Sequence, residues 1–276
     1  MNLKAANSKP SRAQVPLLDL QNICVMRGNA MDGAKTALDD FSLRINLNEH
    51  VAVLGPNGCG KSTLIKTITR ECYPMVREGS SMSILGQKNW NVFELRSLLG
   101  IVSNDLMSLC TGEASGLDVV LSGFFSSTRV FPNHRVDPVQ REMAEVALAQ
   151  LGVLQLSARP VDEMSSGEAK RVLIARALVH NPRALLFDEP SNSLDISAQR
   201  GLRETMRSLA NAGIGIILVT HELADIVPEI ERVVLMSKGR VVNDGRKDEV
   251  LSSSNLSAVF GVPVEIGRRD GYYHIW

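Results

Sequence analysis

The amino-acid sequence predicts an α/β fold in which helices cover both faces of a parallel sheet. Three runs, residues 51–54, 184–187 and 214–219, are continuously apolar, as is typical of strands that are buried on both faces. A polar or glycine-rich turn follows each run. In open α/β sheets, ligands bind at this carboxyl end of the strands, so the side chains of the three turns are candidates for a single site.

Two further strands and a hairpin complete the predicted β structure. Apolar and polar residues alternate at 17–25 and at 41–47, and the stretch 27–35, rich in glycine, asparagine and aspartate, is expected to be a turn or loop between them. Closer to the carboxyl terminus, residues 233–236 and 240–243 are predicted to form a hairpin-like pair with its turn at Lys238-Gly239.

Helices are predicted at residues 62–69, 137–151 and 222–227. In the second of these, the apolar residues recur on one side. That helix lies within the section 104–163, which several prolines punctuate. We expect this section to form a largely helical subdomain inserted in the α/β core.

Composition and length restrict the classes of protein to consider. The chain has 276 residues, 44% of them hydrophobic and 22% charged, which is ordinary for a soluble globular protein. Its 30 basic and 30 acidic residues balance, so there is no overall positive charge for nucleic acid, and we expect no direct nucleic-acid partner. No apolar stretch approaches the ~20 residues that span a bilayer. The four cysteines lack metal-site spacing and are predicted to be free thiols in a reducing compartment.

The domain plan follows from these patterns. We expect a disordered leader at 1–16, a single domain at 17–254 and a carboxyl-terminal tail at 255–276. The tail is aromatic near its end, and it either forms a short strand pair on the core or contacts a partner.

A phosphate-binding loop is indicated between the apolar run at 51–54 and the helix predicted at 62–69. Residues 55–62 match the pattern GxxxxGK[ST] without a mismatch. Glycines let consecutive N–H groups face inward, and the helix adds its positive dipole end. Lys61 is expected between the β- and γ-phosphates, with Ser62 on Mg²⁺ and Thr63 at the α-phosphate. The predicted phosphate-binding residues are Gly55, Pro56, Asn57, Gly58, Cys59, Gly60, Lys61, Ser62 and Thr63.

Two acids, Asp188 and Glu189, follow the apolar run at 184–187. Alternation along a strand sends their side chains in different directions. Asp188 can then hold Mg²⁺, while Glu189 acts as general base on the water that attacks the γ-phosphate. Alone, such a pair more often marks a solvated strand end, but the phosphate loop upstream favours the catalytic interpretation.

Further motifs resemble those of the ATP-binding cassette (ABC) ATPases. Residues 164–168, Met-Ser-Ser-Gly-Glu, resemble the LSGGQ signature, residues 191–195 resemble the D-loop, and His221 resembles the switch histidine. The resemblance runs from about residue 17 to residue 245. It implies a P-loop NTPase core with a parallel sheet, an N-terminal antiparallel β subdomain and the inserted helical subdomain. The implied activity is Mg²⁺-dependent hydrolysis of ATP.

The signature implies a second anion site and a dimer. Ser165, Ser166 and Gly167 precede a helix, whose N–H groups and dipole attract a phosphate. If the helical subdomain holds this site away from the phosphate loop, two chains related by a two-fold axis can grip one nucleotide where a single chain cannot. By the resemblance, Glu168 belongs to this site in trans, Asp195 belongs to the D-loop, and His221 hydrogen-bonds the γ-phosphate.

The sequence departs from the family pattern at four positions. Ser166 replaces a signature glycine, and Glu168 replaces the final glutamine and brings a negative charge. Arg27 stands where an adenine-stacking aromatic is usual, and it either stacks on the base or is simply solvated. Asn104, after the apolar strand at 99–102, stands near the position of a glutamine that senses magnesium in the family, and it can supply the same amide oxygen on a shorter arm.

Three functional hypotheses remain. The favoured one is a homodimeric ATPase subunit of an importer, resembling the iron-chelate and molybdenum type, that works under separate integral membrane permease subunits. It would be cytoplasmic and peripheral on the inner face of the membrane. It would receive its partner in a groove near residues 104–125, and exposure of Phe124, Phe125 or Phe131 would support docking there. The second is a soluble ABC-type ATPase in a non-transport complex. The third, a kinase or GTPase, lacks support because no guanine-reading NKxD motif is present.

Overall fold

The computed structural model describes residues 15–28, 33–110 and 114–276. The predicted leader, apart from its last two residues, and part of the predicted 27–35 loop therefore lie outside the described residues. Within the described ranges, no helix has both the length and the apolar character needed to cross a bilayer.

Eleven strands form three sheets in the described part of the chain. They are β1 (Leu18–Arg27), β2 (Lys35–Ile45), β3 (His50–Leu54), β4 (Ser81–Ile84), β5 (Leu99–Ser103), β6 (Ala184–Asp188), β7 (Gly215–Thr220), β8 (Arg232–Ser237), β9 (Arg240–Arg246), β10 (Ile266–Arg269) and β11 (Tyr272–Ile275).

Nine α-helices connect and cover these strands in the described ranges. They are α1 (Lys61–Ile68), α2 (Val92–Leu98), α3 (Asn104–Leu109), α4 (Gly116–Ser122), α5 (Pro138–Gln150), α6 (Ser166–Leu178), α7 (Ile196–Asn211), α8 (Lys247–Val250) and α9 (Ser253–Phe260).

The largest sheet has the order β5-β6-β7-β3-β8-β9. The first five strands are parallel and β9 returns antiparallel to β8, which confirms the predicted hairpin. The apolar runs form β3, β6 and β7, and nearly every residue of these strands is buried. The predicted α/β fold with a parallel sheet is therefore confirmed.

A second sheet contains β2-β1-β4, and both of its pairings are antiparallel. This is the antiparallel β subdomain that the family resemblance implies. Strand β2 begins six residues before the predicted start, at Lys35, which pairs with Arg27 of β1. The pattern missed this half of the strand because its residues are mostly polar and only partly buried.

The section between β5 and β6 is helical, as predicted. The predicted stretch, 104–163, contains α3, α4, α5 and three short 3₁₀ turns in its described part, and α6 lies beyond the predicted end. Asp137 caps α5: its side chain accepts from the Val139 N–H, and Pro138 occupies the first turn, where no N–H donor is needed. The buried faces of these helices form a core continuous with one face of the large sheet.

The helix predicted at 222–227 is wrong. Only a single 3₁₀ turn, Leu223–Asp225, is present, and Ile226 is extended. Two causes act together. The Asp225 side chain accepts hydrogen bonds from Ser191 and Thr220, and Pro228 disfavours helical backbone at the preceding residue.

The tail forms α9 and then the β10-β11 hairpin, which is one of its two predicted states. Tyr273 in β11 is buried, and the neighbouring Tyr272 ring lies under the Arg203 guanidinium at 5.8 Å. Arg203 also donates to the Ala224 carbonyl, so the hairpin and α7 pack beside the turn that follows β7.

Two glycines provide a paired test of this packing. A Cβ at Gly100 in β5 would lie 2.7 Å from the Ala177 carbonyl oxygen, whereas a Cβ at Gly201 in α7 would meet nothing within 4 Å. We expect Gly100→Ala to lower the free energy of unfolding by about 1–3 kcal/mol through overpacking. Gly201→Ala should raise it by about 0.5–1 kcal/mol, because alanine is the better helix former. Urea unfolding measures both, and a Gly100→Ala variant as stable as the wild type would contradict the close approach of α6 to β5.

Candidate functional site

Strand register brings four sequence motifs to one edge of the large sheet. Leu54, the last residue of β3, pairs with Thr220 of β7, and Asp188 at the end of β6 pairs with Ser103 of β5. The phosphate loop, Glu189, His221 and Asn104 follow these strand ends directly, and Asp188 is the last residue of its strand. A cavity of about 750 Å³ at this edge is lined by Ser62, Asn104, Asp188 and Glu189 among others.

Close packing explains two glycines of the phosphate loop. A Cβ at Gly55 would lie 2.5 Å from the Met236 carbonyl oxygen, and a Cβ at Gly60, where φ is 114°, would lie 2.6 Å from the Ala37 carbonyl oxygen. The Cys59 carbonyl accepts from the Gly239 N–H at 2.8 Å, so a hydrogen bond from the β8-β9 turn stabilises the loop. The Cys59 thiol is buried, and burial raises its pKa. Cys59 therefore contributes backbone rather than a reactive side chain to the loop.

The ammonium of Lys61 crosses the mouth of the loop. It donates to the carbonyls of Gly55 at 2.8 Å and Pro56 at 3.2 Å, and lies 3.5 Å from Glu189 Oε1. The side chain is only 5% exposed, so this charge acts in a poorly solvated setting where electrostatic interactions are strong. The neighbouring Ser62 is exposed to the cavity, and Thr63 is buried beneath it.

Glu189 is held in an unusual backbone conformation. Its φ of 42° lies in the left-handed region, and its N–H donates to the Val219 carbonyl at 2.8 Å. Oε1 lies 3.1 Å from His221 Nδ1, and Oε2 accepts from Asn192 at 2.7 Å. Burial alone would raise the pKa of Glu189, but the interactions with His221 and Asn192, assisted by Lys61, lower it overall. The carboxylate is therefore ionised at neutral pH and can accept a proton.

Asp188 has the opposite electrostatic setting. Burial, with the nearby charges of Glu189 and Asp105, raises its pKa to about 6. The two adjacent acids thus differ in their proton affinity, as expected when side chains on either side of a strand end meet different surroundings.

Asn104 occupies the first turn of α3, after its capping residue Ser103. Its Nδ2 donates to the Glu189 carbonyl at 3.3 Å, and its Oδ1 accepts from Lys170 Nζ at 2.6 Å. The amide oxygen that the sequence assigned to Mg²⁺ is thus bonded to a lysine of α6. The predicted magnesium contact of Asn104 stays a prediction.

The signature residues lie at the start of α6, away from the phosphate loop. Ser165 and Ser166 are exposed, and Glu168 Oε2 accepts from both the N–H and the Oγ of Ser165 at 2.9 Å. These hydrogen bonds from Ser165 lower the pKa of Glu168. Ser165, Gly167 and Glu168 line a separate cavity of about 380 Å³ together with Asp195.

Two further predicted residues, Arg27 and Asp195, have few described contacts that bear on their predicted roles. Arg27 ends β1 and is exposed, and the loop that follows it lies partly outside the described residues. Asp195 caps α7, where its Oδ1 accepts from the Ala198 N–H at 2.8 Å. Neither observation tests the adenine or D-loop roles predicted from the sequence.

Comparison with known proteins places the chain in a family. Residues 38–192 match the family described as ABC transporter. The uncharacterized ABC transporter ATP-binding protein YlmA of Bacillus subtilis is 30% identical over 255 residues, which cover 91% of this chain and 93% of that protein. The hemin import ATP-binding protein HmuV of Hahella chejuensis is 31% identical over 242 residues, 84% of this chain and 90% of that protein.

A solved structure agrees with these matches. CbiO1 of Clostridium perfringens, described as part of the ABC transporter complex cbiONQ, is 28% identical with a TM-score of 0.70, covering 89% of this chain and 94% of that chain. The chain belongs to the ABC transporter family. The expectation of an ATP-binding, ATP-hydrolysing subunit of this family is therefore confirmed, and the cavity at the sheet edge is the candidate nucleotide site of the cassette.

Oxygen donors at this ABC site fit a magnesium ion. The Ser62 hydroxyl and the carboxylates of Asp188 and Glu189 line the same cavity, and Mg²⁺ prefers oxygen ligands. Among the described residues, no group of three or more histidines, cysteines and acids could hold a metal by itself. In proteins, Mg²⁺ is usually held by one or two carboxylates together with phosphate oxygens of the substrate.

Sequence reasoning missed several residues that shape the site. Lys170 contacts Asn104, Asn192 contacts Glu189, and Asp225 accepts from Ser191 at 2.5 Å. For Lys170 a signal existed: it lies four residues before Ile174 and therefore shares the buried face of α6. For Asp225 there was no such indication in the sequence, because its partners lie in other segments: Ser191 follows β6, and Thr220 ends β7.

The raised pKa of Asp188 predicts a stability effect. Because the folded-state pKa of about 6 exceeds the ordinary 3.8, the folded chain binds this proton more tightly than the unfolded chain. The contribution of Asp188 to stability is therefore lost as pH rises through about 6. In EDTA without nucleotide, Asp188→Asn should raise the free energy of unfolding by on the order of 1 kcal/mol at about pH 7.5, and by much less at about pH 4.

Urea unfolding at the two pH values checks this expectation. Asp270→Asn is the matched control, since Asp270 is exposed and asparagine tolerates its positive φ. An equal gain for Asp188→Asn at both pH values would show that the ionised carboxylate is not the destabilising feature.

Proposed function

We propose that two copies of this chain bind and hydrolyse two ATP molecules across their interface and thereby power import through separate integral membrane permease subunits. One observation carries the proposal. Glu189, which lies 3.5 Å from Lys61, lines one cavity, whereas Ser165 and Asp195 line another on the same chain. A two-fold axis can face each cavity with the other one from a second copy.

Exposure supports the dimer face. Ser165 and Ser166 leave their helix end accessible, and Ile196, beside Asp195, is 84% exposed. Burial of a large apolar side chain next to an open anion site by a partner would stabilise the dimer.

The catalytic assignments rest on the contacts around Glu189. Its lowered pKa leaves a carboxylate able to take a proton from the attacking water. Lys61 stabilises negative charge that develops on the phosphates, and His221 is expected to hydrogen-bond the γ-phosphate and orient the water. Ser62 and Asp188 would hold Mg²⁺, which when bound neutralises charge on the β- and γ-phosphates.

The permease docking groove is proposed on the continuation of the nucleotide cavity. The cavity extends from Ser62 to Leu106 and Leu109 of α3, and Leu109 is 66% exposed. The expected phenylalanines are half-buried instead. Phe124 packs edge-on against His180, and Phe125 stacks on His134 with ring centroids 4.1 Å apart. Docking is therefore assigned to the α3 side of the groove, within the predicted 104–125 region.

Import and location are supported by the relatives. HmuV is described as an import protein and CbiO1 as part of a transporter complex. By analogy we place this chain in the cytoplasm, peripheral on the inner face of the membrane. Co-purification with an integral membrane protein tests this assignment, and its absence would favour the alternative, an ABC-type ATPase in a non-transport complex.

Blocking the general base should trap the dimer. In Glu189→Gln, the amide cannot take a proton from water, so ATP stays bound and the two copies remain closed. Light scattering with Mg-ATP should give twice the chain mass, whereas ADP should give a single chain. As a control, Lys61→Ala added to this variant should abolish the dimer. A chain that binds ATP yet stays monomeric would overturn the sandwich mechanism.

The charge of Glu168 is expected to weaken closure. Glu168→Gln keeps an acceptor for the Ser165 N–H, so the helix cap survives, but removes a negative charge near the incoming γ-phosphate. In the Glu189→Gln background, the dissociation constant of the ATP-bound dimer should fall by about 3- to 10-fold. Analytical ultracentrifugation measures it. Glu145→Gln, an exposed position on α5, makes the same change in net charge as a control, and an equal effect of both substitutions would rule out a local role for Glu168.

A further inference from the structure

Lys170 is a buried lysine on α6, the helix that carries the signature, and it lies close to Asn104. Lys170 is 2% exposed, and its ammonium donates to Asn104 Oδ1 at 2.6 Å. Burial lowers the pKa of this ammonium to about 8, although the carboxylate of Asp188 acts in the opposite direction. Burying a charge destabilises the folded chain, and a hydrogen bond to a neutral amide offsets only part of that effect. The contact therefore calls for a functional explanation.

The ammonium decides which way the Asn104 amide faces. A lysine ammonium has donors and no acceptor, so it accommodates only the oxygen end of the amide. The NH₂ end must then point away, and it donates to the Glu189 carbonyl at 3.3 Å. Without Lys170, only the carbonyl on the other side of the amide would favour this orientation.

The Glu189 carbonyl belongs to a residue with a strained backbone, and the Asn104 donor helps to hold it. A φ of 42° lies in the left-handed region, which is unfavourable for residues other than glycine. Three hydrogen bonds hold the backbone there: the N–H donates to the Val219 carbonyl at 2.8 Å, and the C=O accepts at 3.3 Å from both the Asn192 N–H and the Asn104 Nδ2. Of these three bonds, the one from Asn104 depends on the orientation of its amide, and it alone comes from outside the sheet and the turn after β6.

We infer that Lys170 is a positioning residue for Glu189, acting through the amide of Asn104. The inference rests on the proposed function, because it assigns Glu189 the role of general base. The side chain of Asn104 is shorter than that of the glutamine usual at this position in the family, and the side chain of Lys170 is longer. Together they connect α6, which begins at the signature, to the catalytic turn after β6.

A double-mutant cycle tests this positioning role. Lys170→Met keeps the length of the side chain and removes the donor, and Asn104→Ala removes the amide. Each should lower kcat about 10-fold with ATP affinity nearly unchanged, and the double variant should lose no more than either single one, because coupled residues are non-additive. Lys170→Arg retains donors and should recover part of the turnover.

Controls separate the alternatives. Lys247→Met removes another buried lysine, whose ammonium bonds the carbonyls of Val227 and Pro228, and it should leave kcat unchanged. If Lys170→Met lowers kcat equally in the Asn104→Ala background, Lys170 acts through Asp188 rather than the amide, and the inference is wrong. If the wild-type chain hydrolyses no ATP, the proposed function itself fails.

Discussion

Parallel strand pairing in the large sheet is the constraint on which the site depends. The register that opposes Leu54 to Thr220 and Ser103 to Asp188 leaves the residues after all four strands at one edge. These residues come from segments as far apart as position 55 and position 221, and no local interaction could gather them. A slip of one residue in any pairing would turn the strand's buried side chains to the wrong face and carry its reactive residue out of the cluster.

The same strand pairing brings the charged side chains of the site together at that edge. Asp188 and Glu189 are adjacent acids in a half-buried setting, and the charge of Glu189 helps burial to raise the pKa of Asp188. Lys61 and His221 stabilise the ionised form of Glu189, whereas burial dominates at Asp188. The site therefore has one carboxylate ready to accept a proton and one whose charge a cation would stabilise. This difference arises from packing around two consecutive residues.

Local patterns in the sequence were sufficient for the fold class and for the motifs themselves. The phosphate loop could be predicted because its glycines, its lysine and the flanking strand and helix are all contiguous. The helix predicted at 222–227 is absent for two reasons. Pro228 is visible in the sequence, whereas the contact of Ser191 with Asp225, from 34 residues away, is not. The contact between Lys170 and Asn104 spans 66 residues, and only the packing of α6 against α3 and β5 creates it. Propensity and periodicity carry no information on such pairs.

A complementation experiment tests most directly whether one nucleotide is gripped by two copies. One variant carries Lys61→Ala and the other Ser165→Arg, so each alone forms only broken sites. When the two are mixed, the mixed dimer regains one complete site, built from the intact phosphate loop of one copy and the intact signature of the other. Our account predicts that the mixture hydrolyses ATP far faster than the sum of the separate variants. A rate equal to that sum would show that the two anion sites do not meet on a shared nucleotide.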